Sequence, residues 1–128
     1  MNLSDKAIKL LAGKNFGFLA TVGKKGYPHV TPVWVDYSDG FILINSTKDR
    51  VKVKNVERDP RVSLAVSDSQ NPYRYVMIQG KVKQITEEGA KEHIDRLAFK
   101  YTGVKKFQGG NDRRVILKIE PEKVIESL

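Results

Sequence analysis

Apolar residues enter this chain at helical spacing and recur further on at strand spacing. Leu3, Ala7, Ile8, Leu10 and Leu11 share one helical face, with Asn2 or Ser4 as caps and Gly13 beyond the last turn. They predict a short amphipathic helix. Residues 15–22 (Asn-Phe-Gly-Phe-Leu-Ala-Thr-Val) are aromatic and β-branched, and Gly23-Lys24-Lys25-Gly26 then supplies a turn. A strand thus enters a hairpin whose second arm covers 27–37, interrupted by Pro28 and Pro32. Ser38-Asp39-Gly40 turns that arm into the apolar stretch 41–45, giving three antiparallel strands in a meander. Pro32 has no N–H for a ladder, so the strand there is an edge, a bulge or a ligand-facing segment.

Residues 61–67 alternate, with Val62, Leu64 and Val66 on one face, and 68–72 (Asp-Ser-Gln-Asn-Pro) read as a loop. The β-rich run 73–85 is long, and Gly80 within it allows a bulge or sharp bend, so that one strand serves two faces of a barrel. Thr86 is placed to cap a helix with Glu87 and Glu88 in its first turn and Ala90, Ile94, Leu97, Ala98 and Tyr101 as its apolar face. Gly103 ends it. Residues 107–112, with Gly109-Gly110, read as a mobile loop and 114–119 as the last strand. Pro121 opens a tail holding Val124, Ile125 and Leu128. About six strands in antiparallel meander or Greek-key order, with two or three helices, predict a mainly β fold: a small closed or split β-barrel. A chain of 128 residues fits one domain over 1–128, at a size where pairing with a second copy helps.

Charge changes the picture at residues 46–61, where six Lys and Arg stand against three acids directly after an apolar strand. Ser46 or Thr47 is a candidate helix cap, and Asp49, three residues after Ser46, approximates a capping box. A helix starting there would bring free N–H groups, two hydroxyls, Arg50 and Lys52 onto one phosphate. The competing reading is ordinary solvated surface: Val51 and Val53 alternate with lysines at period two, as on an exposed strand edge. Pro60 closes the segment in either case. The net charge of +8 favours an anionic partner, whether nucleic acid, an acidic membrane surface or a phosphorylated small molecule. The absence of cysteine excludes disulfides, thiolate metal sites and cysteine nucleophiles, so redox chemistry here requires a bound cofactor. No apolar run suits a membrane span and the amino end lacks a signal-peptide pattern, which leads us to expect a cytoplasmic protein.

Backbone groups left free around Thr31, Val33 and Trp34 are placed to hydrogen-bond a heteroaromatic ring, with Trp34 as a flat wall, although Trp34 reads equally as core. His93, on a helix, reads as a surface residue. His29, Tyr73 and Tyr75 read as packing groups before catalytic ones.

Several stretches in order resemble one family across nearly the whole chain. They are Phe18-Leu19-Ala20-Thr21-Val22; Gly26-Tyr27-Pro28-His29-Val30-Thr31-Pro32-Val33-Trp34; Arg50-Val51-Lys52-Val53-Lys54-Asn55; and Asp59-Pro60-Arg61-Val62-Ser63-Leu64. Asn71-Pro72-Tyr73, Ile78-Gln79-Gly80 and Pro121-Glu122-Lys123-Val124 complete the set. The chain resembles the pyridoxamine-phosphate-oxidase-like, FMN-binding split-barrel superfamily, and within it the small class of deazaflavin (coenzyme F420)-dependent oxidoreductases. The resemblance implies a six-stranded antiparallel Greek-key split barrel, a homodimer with two interface cofactor sites, and a helix beginning near Lys48. It also implies roles: Arg50 and Lys52 for the cofactor phosphate, with Ser46 and Thr47 beside them and Asn55 close by. Thr31, Pro32, Val33 and Trp34 match the strand whose backbone meets the ring, and Asn71 and Tyr73 a loop reaching the partner subunit's cofactor.

The Arg and His pair that full-length pyridoxamine phosphate oxidases use on their substrate has no match near the chain end, where Arg113-Arg114 lacks a neighbouring histidine. The implied activity is hydride transfer between FMN or coenzyme F420 and a small unsaturated acceptor. Such chemistry needs no catalytic side chain, because the cofactor holds the reactive atom. Surplus Lys48, Lys54, Arg58, Lys105 and Lys106 suit the longer anionic tail of the deazaflavin. Two alternatives remain at this level: a basic barrel that binds single-stranded nucleic acid, disfavoured because the cations are not interleaved with aromatics, and a flavin carrier without turnover.

Overall fold

The computed structural model describes residues 3–110 and 113–128. Its order is α1 (Asp5–Ala12), β1 (Gly17–Val22), β2 (Pro28–Val33), β3 (Asp36–Ser38), β4 (Phe41–Thr47), α2 (Val51–Arg58), β5 (Arg61–Asp68), β6 (Asn71–Thr86), α3 (Ala90–Thr102) and β7 (Arg114–Ser127). All seven strands form one antiparallel sheet in the order β2-β1-β5-β6-β7-β4-β3. The sheet's two edge strands, β2 and β3, are consecutive in sequence and joined only by Trp34 and Val35. Three trans peptide steps span at most about 11 Å, so the sheet must coil until its edges nearly meet. The result is an open barrel with a split between β2 and β3.

Seven strands stand where six were expected, because the arm predicted over 27–37 divides at Trp34-Val35 to serve both edges. Pro28 and Pro32 lie in β2, an edge strand that can do without their N–H groups. Gly80 marks the expected irregularity: the β6–β7 register shifts between Gln79 and Gly80, and a Cβ at Gly80 would sit 2.3 Å from the Glu120 carbonyl oxygen. Around that point β6 pairs with β5 between Asn71 and Lys81 and with β7 between Tyr75 and Thr86. The expected tail after Pro121 is instead the second half of β7; Pro121 is tolerated in the ladder because it faces Gly80 at the bulge. The loop expected at 68–72 shrinks, with β6 beginning at Asn71.

The helices also depart from expectation at their ends. α1 is capped by Ser4, whose hydroxyl accepts the Ala7 N–H at 3.0 Å, and it stops before Gly13; Asn2, the other candidate cap, lies outside the described residues. α2 starts at Val51, later than Lys48, with Arg50 at the N-cap and no side-chain cap, while Ser46 and Thr47 remain in β4. The period-two strand reading of this segment fails because Val53 and Val56, three apart on a helix, bury against the sheet with Asn55. Thr86 does not cap α3: its hydroxyl accepts the Glu88 N–H in a local turn, and Gly89, at φ 74°, precedes the helix. The loop expectation over 107–112 can be followed to Gly110; Asn111 and Asp112 lie outside the described residues.

The main core lies inside the coiled sheet. α1 contributes Ala7, Leu10 and Leu11, α2 contributes Val53 and Val56, and the strands contribute residues such as Leu19, Ile42, Ile44, Leu64, Ile78, Leu117 and Ile119. A second cluster, of Ile94, Leu97 and Tyr101 with Trp34 and Phe107, places α3 against the split. Tyr101 fastens it: its Oη accepts the Val35 N–H at 2.9 Å and donates to the Asn15 carbonyl at 2.7 Å. Lys100 Nζ adds bonds to the carbonyls of Val35 at 2.6 Å and Leu11 at 3.1 Å.

Candidate functional site

A cleft of about 260 Å³ opens where β2, the Trp34 link, α2 and α3 meet, with Phe16, Pro32, Trp34, Lys52, Phe107 and Arg114 among its walls. Trp34 is half-buried, stacked on Tyr101 at 5.3 Å between centroids and 5° between planes, so it is both a packed residue and a pocket wall. Phe107 meets Trp34 edge-on at 6.2 Å, and its N–H is held by Asp95 Oδ1 at 2.9 Å. The Arg114 guanidinium carbon lies 4.9 Å from the Phe107 ring centre, a cation–π geometry, and Arg114 Nε donates to Asn45 Oδ1 at 2.7 Å.

The polar side of the cleft is cationic. Burial and the neighbouring charges of Arg50 and Arg114 pull the Lys52 pKa below the ordinary lysine value. Like charges gathered in a partly desolvated place cost free energy, which an anion would recover. The N-terminus of α2, uncapped by any side chain, adds its dipole at the same end. Inside β2, the Thr31 hydroxyl and His29 Nδ1 are buried without a hydrogen-bond partner among the described residues, which leaves polar capacity on the strand beside the cleft.

Of the residues singled out in the sequence, Pro32, Val33, Trp34 and Lys52 line this cleft together. Arg50 stands at the N-cap beside them and Thr31 next to Pro32. Ser46 and Thr47 are buried at the end of β4. The Ser46 hydroxyl points to the Thr47 carbonyl at 3.4 Å, and a hydrogen bond from Thr47 helps hold the Asp49 carboxyl below its ordinary range. Asn55 faces the interior, donating to Thr21 Oγ1 at 2.9 Å and accepting from Arg58 at 3.0 Å. Asn71 and Tyr73 sit on the exposed β5–β6 hairpin, outside the cleft of their own chain, with Tyr73 83 % exposed. A second basic cleft of about 330 Å³ is lined by Lys48, Asp49, Lys54 and Arg113, where Glu87 pairs with both Lys48 and Arg113.

Phe16, Asn45 and Arg114 were not legible as site residues, and Phe107 only as part of a loop. The expectation for His93 is corrected outright: it is wholly buried, because α3 turns that face toward β3 and β4. Burial acts to raise the Asp36 pKa, but the hydrogen bonds it accepts from His93 and from the Tyr37 N–H outweigh it and hold the carboxyl below its ordinary value.

An antiparallel split barrel with an aromatic-walled, cationic cleft at its seam is the class of protein these observations define. The chain belongs to the pyridoxamine 5'-phosphate oxidase family, which it matches over residues 3–127. Among solved structures it is similar to an F420 reductase at 27% identity and TM-score 0.86, covering 96% of this chain and 98% of that one. A conserved hypothetical protein from Mycobacterium tuberculosis follows at 26% identity and TM-score 0.74, covering 97% and 84%. General stress protein 26 of Bacillus anthracis, at 21% identity, TM-score 0.73 and coverage of 97% and 92%, shows the fold alone. The family and the likeness to an F420 reductase agree with the resemblance read from the sequence. Among the described residues no helix is long and apolar enough to cross a membrane.

Proposed function

We propose that this chain is a single-domain, cytoplasmic oxidoreductase that binds FMN or coenzyme F420 in the seam cleft and passes a hydride between that cofactor and a small unsaturated acceptor. The observation that carries the reading is the crowding of Lys52 with Arg50 and Arg114 beside the Trp34 wall, a cationic end and an aromatic end in one cleft. The donor set fits a phosphate-bearing heteroaromatic group: Arg50 and Lys52 would hold the phosphate, and the segment from Thr31 to Trp34 would meet the ring. When bound, such a cofactor supplies a ring that gives or accepts a hydride. The protein's part is to bind, orient and exclude water. Trp34 and Phe107 present apolar surface, and the buried Thr31 hydroxyl offers a partner to a polar ring edge. The 27% identity to an F420 reductase over nearly the full length of both chains supports this class. Oxidation of pyridoxamine phosphate is not included, since the sequence has no match to the Arg and His pair near its chain end, and His93, which shares Asn45 with Arg114, is wholly buried.

A homodimer belongs to the same proposal. On the outer face of the sheet Pro32, Phe18, Ala65, Met77 and Ile125 are cross-strand neighbours in one row over β2, β1, β5, β6 and β7. Phe18 is 49 % and Ile125 42 % exposed. An apolar row of this extent calls for cover, and Pro32 makes it continuous with the cleft. On the resemblance, a second copy seated there would bring its Asn71 and Tyr73 toward this cleft.

Titrating the purified protein separately with FMN and with F420, following ring fluorescence, tests the assignment. The double change Arg50→Ala with Lys52→Ala should weaken binding by about 2–4 kcal/mol, the scale of lost charge-assisted phosphate contacts. Unchanged affinity would remove the phosphate assignment; binding of neither cofactor would remove the proposal.

A further inference from the structure

From the cleft wall inward runs a part-buried polar chain that the proposed function leaves unused. His93 is 0 % exposed; its Nε2 lies 2.9 Å from Asp36 Oδ2 and its Nδ1 3.1 Å from Asn45 Nδ2. Asn45 Nδ2 also donates to the Ala90 carbonyl at 2.8 Å, while Asn45 Oδ1 accepts from Arg114 Nε at 2.7 Å.

These contacts set their own directions. The Ala90 carbonyl can only accept and the Arg114 Nε–H can only donate, so the Asn45 amide has one satisfied orientation, nitrogen toward Ala90 and oxygen toward Arg114. Its second N–H then points at His93 Nδ1, which must accept. The ring proton therefore sits on Nε2 and is given to the Asp36 carboxylate. Donation runs one way, from Arg114 through Asn45 and His93 to Asp36. The chain ties the edge strand β3, the strand β4 and the helix α3 to the first residue of β7.

We propose that Asp36, His93 and Asn45 form a positioning chain for Arg114, and that Arg114, so aimed, is the third cation with Arg50 and Lys52 at the phosphate end of the cleft. This rests on the cofactor reading above. A guanidinium carries five N–H groups in a rigid planar fork, so holding Nε–H at its edge and the Phe107 ring at its face orients the whole group. An arginine ordered before the ligand arrives loses little side-chain freedom on binding. Neutral His93 is suited to the task because it accepts at one end and donates at the other. The complete burial of the His93 ring limits the competition of water for either bond, although Asp36 and Asn45 are only part-buried.

The test compares affinities for FMN and for riboflavin, which lacks the phosphate, in Arg114→Ala, Asn45→Ala, His93→Phe, His93→Gln and the double variants. If the deazaflavin is the cofactor bound, F420 and the phosphate-free deazaflavin bearing only the ribityl chain take their places. Arg114→Ala should lower affinity for the phosphorylated ligand roughly 10- to 100-fold, the scale of a charge-assisted hydrogen bond, and leave the phosphate-free ligand nearly unchanged. Asn45→Ala and His93→Phe should lower it about 3- to 10-fold when Arg114 is present, and add nothing in the Arg114→Ala background. Glutamine carries an acceptor and a donor, so His93→Gln should retain most of the affinity. Asn45→Ala opens onto the cleft and carries the comparison even if His93→Phe does not fold.

Equal losses in both backgrounds, or a glutamine variant no better than phenylalanine, would overturn the positioning role. If Lys52→Ala weakens binding and Arg114→Ala does not, the cofactor reading stands and this inference falls. Should neither change weaken binding, both fall.

Discussion

Replacing Tyr101 by phenylalanine removes one oxygen and tests whether the split in the barrel is held where the structure places it. The Tyr101 hydroxyl accepts the Val35 N–H and donates to the Asn15 carbonyl. Val35 is 0 % and Asn15 9 % exposed, so water cannot readily take over either bond. Burial also raises the Tyr101 pKa, so the phenol keeps its donor proton at neutral pH. Each orphaned buried group costs about 1–3 kcal/mol; for the two of them, the Val35 N–H and the Asn15 carbonyl, we expect a total of about 3 kcal/mol. For a chain of this size that corresponds to a fall of roughly 10–15 °C in Tm, read by thermal unfolding under circular dichroism. Because the phenyl ring keeps its stack on Trp34, the loss should localise to the seam, with faster amide exchange at Val35. Ligand affinity should fall as well, since Val35 follows the Trp34 wall. A Tm within about 3 °C of the parent, together with unchanged exchange at Val35, would refute the account of the seam.

Three further outcomes follow from other parts of the molecule. Gly80→Ala places a Cβ against the Glu120 carbonyl, and neither backbone can yield without opening the β6–β7 ladder; a loss of about 2–4 kcal/mol in denaturant unfolding is expected, and a change under about 0.5 kcal/mol would contradict the bulge. Lys52, its pKa lowered in the free protein, regains proton affinity when an anion binds. FMN or F420 affinity should therefore be full below the free-state pKa and decline as pH rises through it on the alkaline side, whereas Lys52→Arg should flatten that decline. Phe18→Lys with Ile125→Lys should convert a dimer to monomers in analytical ultracentrifugation and weaken cofactor binding in step; a monomeric parent protein would remove the dimer from the proposal.

Much of the fold was legible because its signals are local. Aromatic and β-branched or apolar runs marked β1, β4 and β6 and alternation marked β5, while Pro32 left an edge, a bulge or a ligand-facing segment open, of which the structure shows an edge. Gly80 announced an irregularity, and a carbonyl does approach it closely. Ambiguity arose where two periods fit the same letters. Val51 and Val53 satisfy a strand, Val53 and Val56 a helix, and only packing against the sheet decided between them. Thr86 has the chemistry of a helix cap, yet Gly89, in left-handed geometry, moved the start of α3 to Ala90. His93 looked like a surface residue because nothing beside it in the chain reveals that β3 and β4 lie over that face of α3.

By itself the sequence determined a mainly β fold, the irregularity at Gly80, the cationic segment around Lys52 and the family. These depend on residues close together in the chain or on motifs in linear order. The tertiary structure alone decided that the two sheet edges meet at Trp34-Val35, that Lys52, Asn45 and Arg114 share a cleft, and that Asp36 and His93 stand behind it. The physical reason is that such a site is made by contacts between residues tens of positions apart. They are brought together by the coiling of the sheet, and no local periodicity records them.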